Sequence, residues 1–522
     1  MANPHVLVIG AGAGGVATAT RLAKKGFKVT VVEKNSSIGG RCSLFRHNGF
    51  RFDQGPSLLL MPELFHETFA DLDTTMEDEG IKLEKCEPNY RVWFSDGDVF
   101  NMSTDLSKMN SEIERHEGRG GIRKFFSFMT ESGRHYELSK LYVLKCDFPR
   151  LLSMLRLPLL RSLFALHPFE SIYSRVSKYF SSDKMRMVFT FASMYLGMSP
   201  FEAPATYSLL HFTELAHGIW YPVGGFQKVL EAIATIGKRL GVEYRLNSPV
   251  SSILVSEDGY YATGACLETG ERLEADLVIV NADLVYAYNT LLPPSNFARS
   301  LQKRPVSCSS ISFFWSFNQK IPKLKTHNIF LASKYKESFD AIFQGRKLPQ
   351  EPSFYVNVPS RIDPTAAPEG KEAVIVLVPV SHQADDGPTM SETIRKDWDI
   401  LVARVRETIF HTLEQRTGCK KLRDDLLHEQ VETPLSWKSK FNLDRGAILG
   451  LSHSFFNVLS FRPSIKHSKI KRLYFVGAST HPGTGVPVCL SGKLYAAIFD
   501  PAINRGSTKE TVVLHIRNEF RM

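Results

Sequence analysis

The chain has 522 residues, of which 43% are hydrophobic and 23% charged, so we expect two or three domains and no long disorder. The formal net charge of +10 suits an anionic lipid, an anionic cofactor or nucleic acid, but also an ordinary, mildly basic surface. No basic run alternates with aromatic residues, which argues against a nucleic-acid partner.

The seven cysteines are scattered and form no C-x-x-C pair, so the sequence predicts neither a zinc site nor a disulfide framework, and a reducing compartment fits. The sequence also contains no other metal-ligand cluster, no P-loop and no Ser-His-Asp pattern. The N-terminal apolar stretch carries glycines rather than a cleavage site, and no apolar run reaches about 18 residues. We therefore expect neither a signal peptide nor a clear transmembrane helix.

A nucleotide-binding pattern opens the chain. Residues 5–9 are apolar and β-branched, as in a buried parallel strand, and residues 28–32 form a second such run. Between them the sequence predicts a helix that ends near Lys25, before Gly26. The turn into this helix is a G-x-G-x-x-G fingerprint, formed by Gly10, Gly12 and Gly15, with Gly14 inside it. Glu33 follows the second strand, where a carboxylate can bind ribose, so the pattern predicts a dinucleotide site.

A second element follows Glu33 with the spacing E-x5-G-G-R. Gly39 and Gly40 allow a ligand to approach the backbone, and Arg41 supplies a cation for phosphate. This segment resembles the one that lines the FAD pyrophosphate and flavin in the superfamily of amine oxidases and phytoene desaturases. NAD dehydrogenases do not usually carry it, so the resemblance implies FAD.

The same resemblance continues along the chain. Residues 476–487 are similar to the V-G-A-x-T-H-P-G-x-G-x-P signature that closes over FAD in bacterial and fungal phytoene desaturases, and a helix is predicted from Val488 to Ile498. Residues 249–253 and 275–283 resemble the adenine-contacting strand and the returning strand of the family. Four further segments match it, at residues 50–57, 194–201, 218–225 and 354–364. The likeness spans residues 5 to 498 and is greatest to fungal-type members.

The resemblance implies which residues bind the cofactor. The residues expected to bind FAD are Gly10, Gly12, Gly14, Gly15, Glu33, Lys34, Gly39, Gly40, Arg41, Gly55, Pro56, Val250, Gly477, Gly483, Gly485 and Val486. The proton-accepting residue stays open. His481 and Asp53 are candidates, although His481 could instead hold its loop and Asp53 could cap a turn; nothing singles out Asp147 or Asp183.

The activity that the resemblance implies is the desaturation of 15-cis-phytoene, an apolar carotene, by successive dehydrogenations to lycopene; further steps to 3,4-didehydrolycopene stay open. Hydride would pass to flavin and a proton would leave the adjacent carbon. The terminal acceptor would be quinone or oxygen, with NAD(P) left open. The family also leaves room for association with other carotenoid enzymes.

Other readings stay open within and beyond this family. The chain could be a desaturase that acts on another carotene, as in a torulene-type pathway. It could also be a related flavoenzyme, such as a retinol saturase, a carotenoid isomerase, an amine oxidase or a protoporphyrinogen oxidase. A Rab-escort-like protein shares the fingerprint, but we do not expect it to share the C-terminal signature.

A membrane surface is a further predicted partner. Residues 151–166 are rich in leucine and are interrupted by Arg156, Pro158 and Arg161. Three basic residues precede this segment, namely Lys140, Lys145 and Arg150. Such a segment suits the headgroup region of an anionic bilayer, although a buried helix pair is the alternative. We expect peripheral, monotopic attachment to an intracellular membrane. Fungal members often end in an apolar anchor, whereas residues 501–522 are polar here, which puts such an anchor in doubt.

The expected fold class is α/β, with a Rossmann-like FAD-binding domain built from discontinuous segments and an inserted mixed α+β substrate domain. The FAD-binding segments are predicted at residues 1–110, 215–300 and 430–500. The substrate domain is predicted at residues 111–214, which would also contact the membrane, and at 301–429, followed by a polar tail at 501–522. Within the second insertion, strands are expected at 309–317 and 373–379 and a helix at 391–413.

Overall fold

The computed structural model describes residues 3–144, 146, 148, 151–345, 347–382 and 392–491, and for residues 392–396 the backbone alone. The predictions that concern Lys145, Asp147 and Arg150, the C-terminal helix beyond residue 491 and the tail at 501–522 lie outside these residues.

The described residues contain nineteen strands in five sheets. The strands are β1 (His5–Ile9), β2 (Lys28–Val32), β3 (Leu44–His47), β4 (Phe50–Asp53), β5 (Leu83–Lys85), β6 (Tyr90–Trp93), β7 (Val99–Met102), β8 (Trp220–Pro222), β9 (Glu243–Arg245), β10 (Val250–Val255), β11 (Ala262–Leu267), β12 (Arg272–Glu274), β13 (Leu277–Val280), β14 (Ser309–Phe317), β15 (His327–Phe330), β16 (Phe354–Asn357), β17 (Glu372–Val380), β18 (Leu426–Glu432) and β19 (Leu473–Phe475).

Fifteen α-helical segments accompany these strands in the described ranges. They are α1 (Ala13–Lys24), α2 (Pro62–Ala70), α3 (Leu106–Glu117), α4 (Gly121–Ser139), α5 (Leu157–Leu166), α6 (Ile172–Val176), α7 (Asp183–Val188), α8 (Leu209–Phe212), α9 (Gln227–Arg239), α10 (Leu284–Tyr286), α11 (Asn296–Gln302), α12 (Tyr335–Phe343), α13 (Glu392–Thr417), α14 (Pro434–Phe441) and α15 (Val486–Leu490).

A five-stranded parallel sheet, in the order β19-β13-β1-β2-β9, forms the centre of the first domain. Its inner strands are apolar runs because both faces are covered. Helices α1 and α9 cover one face, and the antiparallel sheet β10-β11-β12 packs on the other. All the parallel strands end at one edge, and this edge is where the ligand site of an open α/β sheet lies.

A seven-stranded mixed sheet, in the order β18-β14-β17-β16-β15-β6-β7, forms the second domain. On one face of β14, Trp315 stacks on Phe410 of α13 with ring centroids 4.6 Å apart. Because side chains alternate along a strand, Ser310 and Ser312 of β14 point to the opposite face. That opposite face is one wall of the cavity described below.

The predicted α/β fold class is confirmed, and so are the elements of the second insertion. The strand at 309–317 has the predicted bounds, and β17 and α13 extend the predicted strand and helix by a few residues. The C-terminal helix begins at Val486 rather than Val488, since Pro487 is favourable in a first helical turn.

One part of the predicted domain division does not match the sheets. Strands β6 and β7 lie within the segment 1–110 that was predicted for the FAD domain. They pair with each other, and β6 pairs in parallel with β15, so they belong to the seven-stranded sheet. The two strands are therefore part of the second sheet, and the end of the first FAD-binding segment stays a prediction. Within the described ranges, no helix is both long enough and apolar enough to cross a bilayer.

Candidate functional site

The glycine turn between β1 and α1 forms the floor of the site. Gly10 adopts a φ of +99°, and α1 begins after Gly12 with no side chain capping its first N–H groups. A Cβ on Gly12 would lie 2.8 Å from Asn281 Oδ1, and one on Gly14 would lie 2.9 Å from a Val476 methyl. The turn therefore leaves no room for side chains and presents free donors at the positive end of a helix, which suits a pyrophosphate.

Glu33 fixes this turn from the end of β2. Its carboxylate accepts hydrogen bonds from the Ala11 backbone N–H at 2.8 Å and from the backbone and side chain of Asn35, both at 2.9 Å. Two carboxylate oxygens can accept about four hydrogen bonds. The protein donates three of them, so one acceptor position remains for a ribose hydroxyl. Glu33 is buried and lines the cavity, as the fingerprint predicts.

Arg41 lies against the turn on a short 3₁₀ helix, Gly40–Cys42. Gly39 takes a φ of +115° and donates its N–H to the Ala11 carbonyl at 2.8 Å, while Gly40 packs on the Gly12 backbone. The Arg41 guanidinium donates to the Ile448 carbonyl, and burial lowers its pKa. No carboxylate among the described residues comes within ion-pair distance of it, so this cation is available to an anionic ligand.

The C-terminal segment closes the site from the other side. Val476 and Gly477 follow β19, and Asn281 follows β13, so both reach the same edge of the parallel sheet. Asn281 Nδ2 donates to the Val476 carbonyl at 2.9 Å, whereas no described residue bonds its buried Oδ1. An acceptor that lacks a partner in a polar cradle is a position for a ligand donor.

These residues enclose a cavity of about 570 Å³. Most predicted cofactor residues line it, namely Gly10, Gly12, Gly14, Glu33, Lys34, Gly39, Gly40, Arg41, Gly55, Pro56, Val250, Gly477, Gly485 and Val486. Lys34 is held by the Ser439 carbonyl at 2.8 Å and the Asn442 side chain at 2.9 Å. A Cβ on Gly55 would lie 2.3 Å from the Arg41 carbonyl oxygen, so only glycine fits there.

Gly15 and Gly483 do not line the cavity. A Cβ on Gly15 would lie 2.1 Å from the Gly10 carbonyl oxygen, so this glycine brings α1 close to β1, as the fingerprint predicts. A Cβ on Gly483 would lie 2.6 Å from His453 Nε2, beneath the loop. Direct contact of these two glycines with the cofactor stays a prediction, and in the structure both lie outside the cavity wall.

Asp53 and His481 also lie outside the cavity wall. The buried Asp53 carboxylate accepts from the Tyr221 hydroxyl at 2.6 Å and from the Phe226 N–H at 2.8 Å, and burial raises its pKa. His481 is buried and donates from Nε2 to the Cys146 carbonyl at 2.9 Å. Both side chains bond to other parts of the protein, which favours the structural alternative for each, and their candidacy as proton acceptors stays untested.

Sequence reasoning did not assign several wall residues. Asp283 lines the cavity near Arg41, and burial raises its pKa to about 6. Ser248, Glu268, Trp437 and Ile448 line it as well. The family-like segment 275–283 pointed to Asn281 and Asp283, but the others come from segments with no recognisable motif.

The cavity continues from the polar cradle into an apolar chamber between the two domains. The chamber is lined by aliphatic, sulfur-containing and aromatic side chains, which are Leu58, Leu60, Met61, Phe191, Met194, Leu196, Leu210, Ile329, Leu331 and Phe339. Its volume together with the cradle is in the range of ligand-binding pockets. The arrangement suits a dinucleotide cofactor whose reactive end faces a long hydrocarbon.

Away from this cavity, three potential metal ligands, Glu131, His135 and His167, approach one another within 4.8 Å. They are occupied by the protein itself. His135 bonds the Ser208 hydroxyl and the Ala165 carbonyl, both at 2.8 Å, and Glu131 forms an ion pair with Arg175. This cluster is a hydrogen-bond network between α4 and the end of α5.

Comparison with known proteins agrees with this geometry. The family model described as flavin containing amine oxidoreductase matches residues 13–497. A phytoene desaturase of Fusarium fujikuroi is 56% identical over 503 residues, which cover 94% of this chain and 88% of that protein. A phytoene desaturase of Neurospora crassa is 53% identical over 526 residues, which cover 99% of this chain and 87% of that protein.

Solved structures share the fold at low identity. A putrescine oxidase redesigned for cofactor binding has a TM-score of 0.61 and 14% identity, and the match covers 97% of this chain and 99% of that one. This likeness supports the fold alone, whereas the family model and the two fungal relatives cover nearly the whole sequence. The chain therefore belongs to the flavin containing amine oxidoreductase family and, within it, to the phytoene desaturases.

Proposed function

We propose that this protein desaturates phytoene with FAD as its hydride acceptor, by successive dehydrogenations that lead to lycopene or, with further steps, to 3,4-didehydrolycopene. The observation that carries the proposal is the cavity of about 570 Å³ in which a glycine-lined dinucleotide cradle opens into an apolar chamber. The fungal relatives named phytoene desaturase, at more than half identity, support the choice of carotene.

The residues around the cradle fit FAD. The uncapped start of α1 and the Arg41 guanidinium would hold the pyrophosphate, and Glu33 would hold the adenosine ribose. When bound, FAD supplies a two-electron acceptor for hydride. The protein keeps the reacting carbons dry and in place, because apolar side chains line the chamber.

The chamber also suits the charge that develops in the reaction. Loss of hydride beside a polyene leaves a positive charge spread over the conjugated chain, and loss of a proton then completes the double bond. Because this charge is delocalised, the protein needs no strong countercharge next to it. The apolar side chains of Phe191, Leu210 and Phe339 are in agreement with such a substrate.

Expression in cells that accumulate phytoene tests this proposal. We expect red lycopene or a redder didehydro product, which also counts the steps. The control is Gly12→Val, whose Cβ would lie 2.8 Å from Asn281 Oδ1 and whose methyl groups would enter the cradle. Unchanged phytoene from well-expressed, FAD-loaded protein would refute the assignment, and a carotenoid changed only in geometry would indicate an isomerase.

The electron acceptor is part of the same proposal. The chain has one complete G-x-G-x-x-G fingerprint, which FAD would occupy, and this supports quinone or oxygen rather than NAD(P) as the acceptor. We expect a soluble quinone or oxygen to reoxidise the reduced protein. Faster anaerobic reoxidation by NAD or NADP would contradict this choice.

We further propose that the protein attaches to membranes through an apolar patch, formed by Leu151, Leu152, Leu155, Leu157 and Phe164. All five side chains are more than half exposed, and Phe164 is 86% exposed. Exposed Arg156 and Arg161 lie among them. Only a minority of the segment faces inward, such as Leu159 and Leu166 of α5, so its exposure supports a surface role over a buried helix pair.

Residues that precede the apolar patch in sequence contact a wall of the chamber. Leu144 follows exposed Leu141 by three residues and packs in one cluster with Leu60 and Met61. Leu60 and Met61 line the cavity. This continuity supports a route by which an insoluble carotene passes from the bilayer into the chamber.

Sedimentation with vesicles of phosphatidylglycerol and phosphatidylcholine tests the attachment. Phe164→Ser removes a side chain whose burial stabilises by about 1.5–3 kcal/mol, so we expect binding to weaken roughly 10- to 150-fold. Ile400→Ser is the matched control, because Ile400 is 69% exposed on α13 and lies outside the patch. Wild-type protein that stays off these vesicles, or equal loss in both variants, would refute the patch.

A further inference from the structure

A hydrogen-bonded chain of side chains leads from the chamber wall into the protein. The Ser57 and Tyr355 hydroxyls lie 2.7 Å apart, and both residues line the cavity. The Tyr355 hydroxyl lies 2.8 Å from Nδ1 of His327, which is fully buried. His327 Nε2 in turn lies 3.4 Å from the Cys86 sulfur.

The neighbours of His327 fix the direction of these bonds. The Asn357 side-chain amide donates to the Thr326 carbonyl at 3.0 Å, which identifies the atom there as Nδ2. The same Nδ2 lies 3.2 Å from His327 Nδ1 and has a second N–H to donate to this nitrogen. His327 Nδ1 is therefore an acceptor, and its proton is on Nε2, toward Cys86. Tyr355 consequently donates to His327, and Ser57 donates to Tyr355.

The groups along this chain are uncharged. Burial lowers the pKa of His327 to about 3, so its imidazole is neutral. Burial raises the pKa of the Cys86 thiol to about 12. Burial also raises the pKa of the Tyr355 hydroxyl, and the nearby Cys86 and Asp53 side chains raise it further. A neutral imidazole thus lies directly behind a protonated phenol that faces the chamber.

Tyr195 also lines the cavity, and the surroundings of its phenol differ from those of Tyr355. Its hydroxyl is buried, and Tyr90 and Glu214 are its polar neighbours. Burial raises its pKa strongly, and nearby Glu214 adds to this. The Tyr195 phenol thus interacts with Tyr90 and the Glu214 carboxylate, whereas the Tyr355 hydroxyl donates to the lone pair of a neutral imidazole.

We propose that Tyr355 is a catalytic residue that accepts the proton of each dehydrogenation while it passes its own proton to His327. This inference rests on the proposed function. In each step one C–H bond of the carotene gives a hydride to FAD, which is reduced as the carotene is oxidised. The adjacent C–H bond breaks, its electron pair forms the new double bond, and its proton goes to the Tyr355 oxygen. The former phenol proton goes to His327 Nδ1.

The weak basicity of His327 suits this task. A carotene cation is a very strong acid, so an imidazole with a pKa of about 3 can still take up its proton. The same low pKa makes His327 give the proton back once the product has left. His327 Nδ1 then returns its proton to the Tyr355 oxygen, and Tyr355 releases the proton that it took from the carotene to water in the emptied chamber, which resets the chain of hydrogen bonds for the next step.

Stopped-flow reduction of the FAD-loaded protein by phytoene, without oxygen, tests the inference. Tyr355→Phe removes only the hydroxyl, and we expect the reduction rate to fall about 100- to 10,000-fold. FAD content and the phytoene concentration for half-saturation should stay within threefold of wild type. Tyr195→Phe is the matched control, with a rate close to wild type. His327→Gln keeps an acceptor but loses the basic nitrogen, and it should be as slow as Tyr355→Phe, with no further loss in the double variant.

The outcomes separate this inference from the function on which it rests. Slow Tyr355→Phe and His327→Gln beside a fast Tyr195→Phe support the relay. A Tyr355→Phe rate within threefold of wild type, or an equal loss in Tyr195→Phe, would overturn it while the desaturase function stands. Wild-type protein that dithionite reduces but phytoene does not would overturn both.

Discussion

Substitution of Gly15 by alanine tests the contact that positions the cofactor cradle. The new Cβ would lie 2.1 Å from the Gly10 carbonyl oxygen and 3.0 Å from Asn281 Oδ1. Close carbon–oxygen contacts begin at about 3.3 Å, so α1 must withdraw from β1 by roughly 1 Å. Overpacking of this kind costs about 1–3 kcal/mol, and here the strain falls on the backbone that faces the pyrophosphate.

If that cost falls on the FAD-bound state, FAD binds about 5- to 150-fold more weakly. The assay is the flavin content of the purified variant, followed by titration with FAD and thermal unfolding at each concentration. Gly133→Ala is the control, since its Cβ would meet the movable Phe212 ring at 2.8 Å, far along the chain in α4. A Gly15→Ala variant with the FAD affinity of Gly133→Ala would refute the reasoning.

Two further predictions concern buried polar groups. Asp53→Ala leaves the Tyr221 hydroxyl and the Phe226 N–H unpaired, so it should lower the free energy of unfolding by about 1–3 kcal/mol. The rate of flavin reduction per bound FAD should stay unchanged. A lower rate at full FAD occupancy would contradict this prediction. Burial lowers the pKa of His135 to about 4, so the folded protein binds a proton at this imidazole more weakly than the unfolded chain does. The free energy of unfolding should therefore be unaffected by this group above pH 6.5 and should fall by about 3 kcal/mol in all as the pH drops toward 4. His135→Gln should flatten the pH dependence of thermal unfolding over this range, and an unchanged slope would contradict the assignment.

The cofactor cradle could be predicted from the sequence because its signals are local. The strand, glycine turn, helix and acid between residues 5 and 33 are contiguous, and each follows from backbone conformation or from a helix end. The second element at Gly39–Arg41 is only a few residues farther along. Lys34, Gly55, Val250 and Gly485 came from the family resemblance, and the structure places them on the same wall.

The hydrogen-bond partners of Asp53 and His481 could not be predicted, because these partners are distant in sequence. Asp53 bonds Tyr221 and Phe226, and His481 bonds the Cys146 carbonyl. A side chain in a motif near the flavin can thus point away from it. The motif itself gives no information on this direction.

The second sheet and the proton relay were beyond sequence reasoning for the same reason. Strand β6 pairs with β15 across more than two hundred residues, and short strands carry no signal for such a partner. Ser57, His327 and Tyr355 come from separate segments and meet only in the folded chain. Local patterns predict the elements, whereas the wall of the chamber depends on how the elements pair.

The most direct test of the central claim is one anaerobic turnover of the purified, FAD-loaded protein with phytoene carried in anionic vesicles. We predict that the visible absorbance of the oxidised flavin is lost as a carotene with a longer conjugated system forms, one double bond for each FAD reduced. Flavin that stays oxidised with phytoene, although dithionite reduces it, would contradict the assignment of this cavity to carotene desaturation.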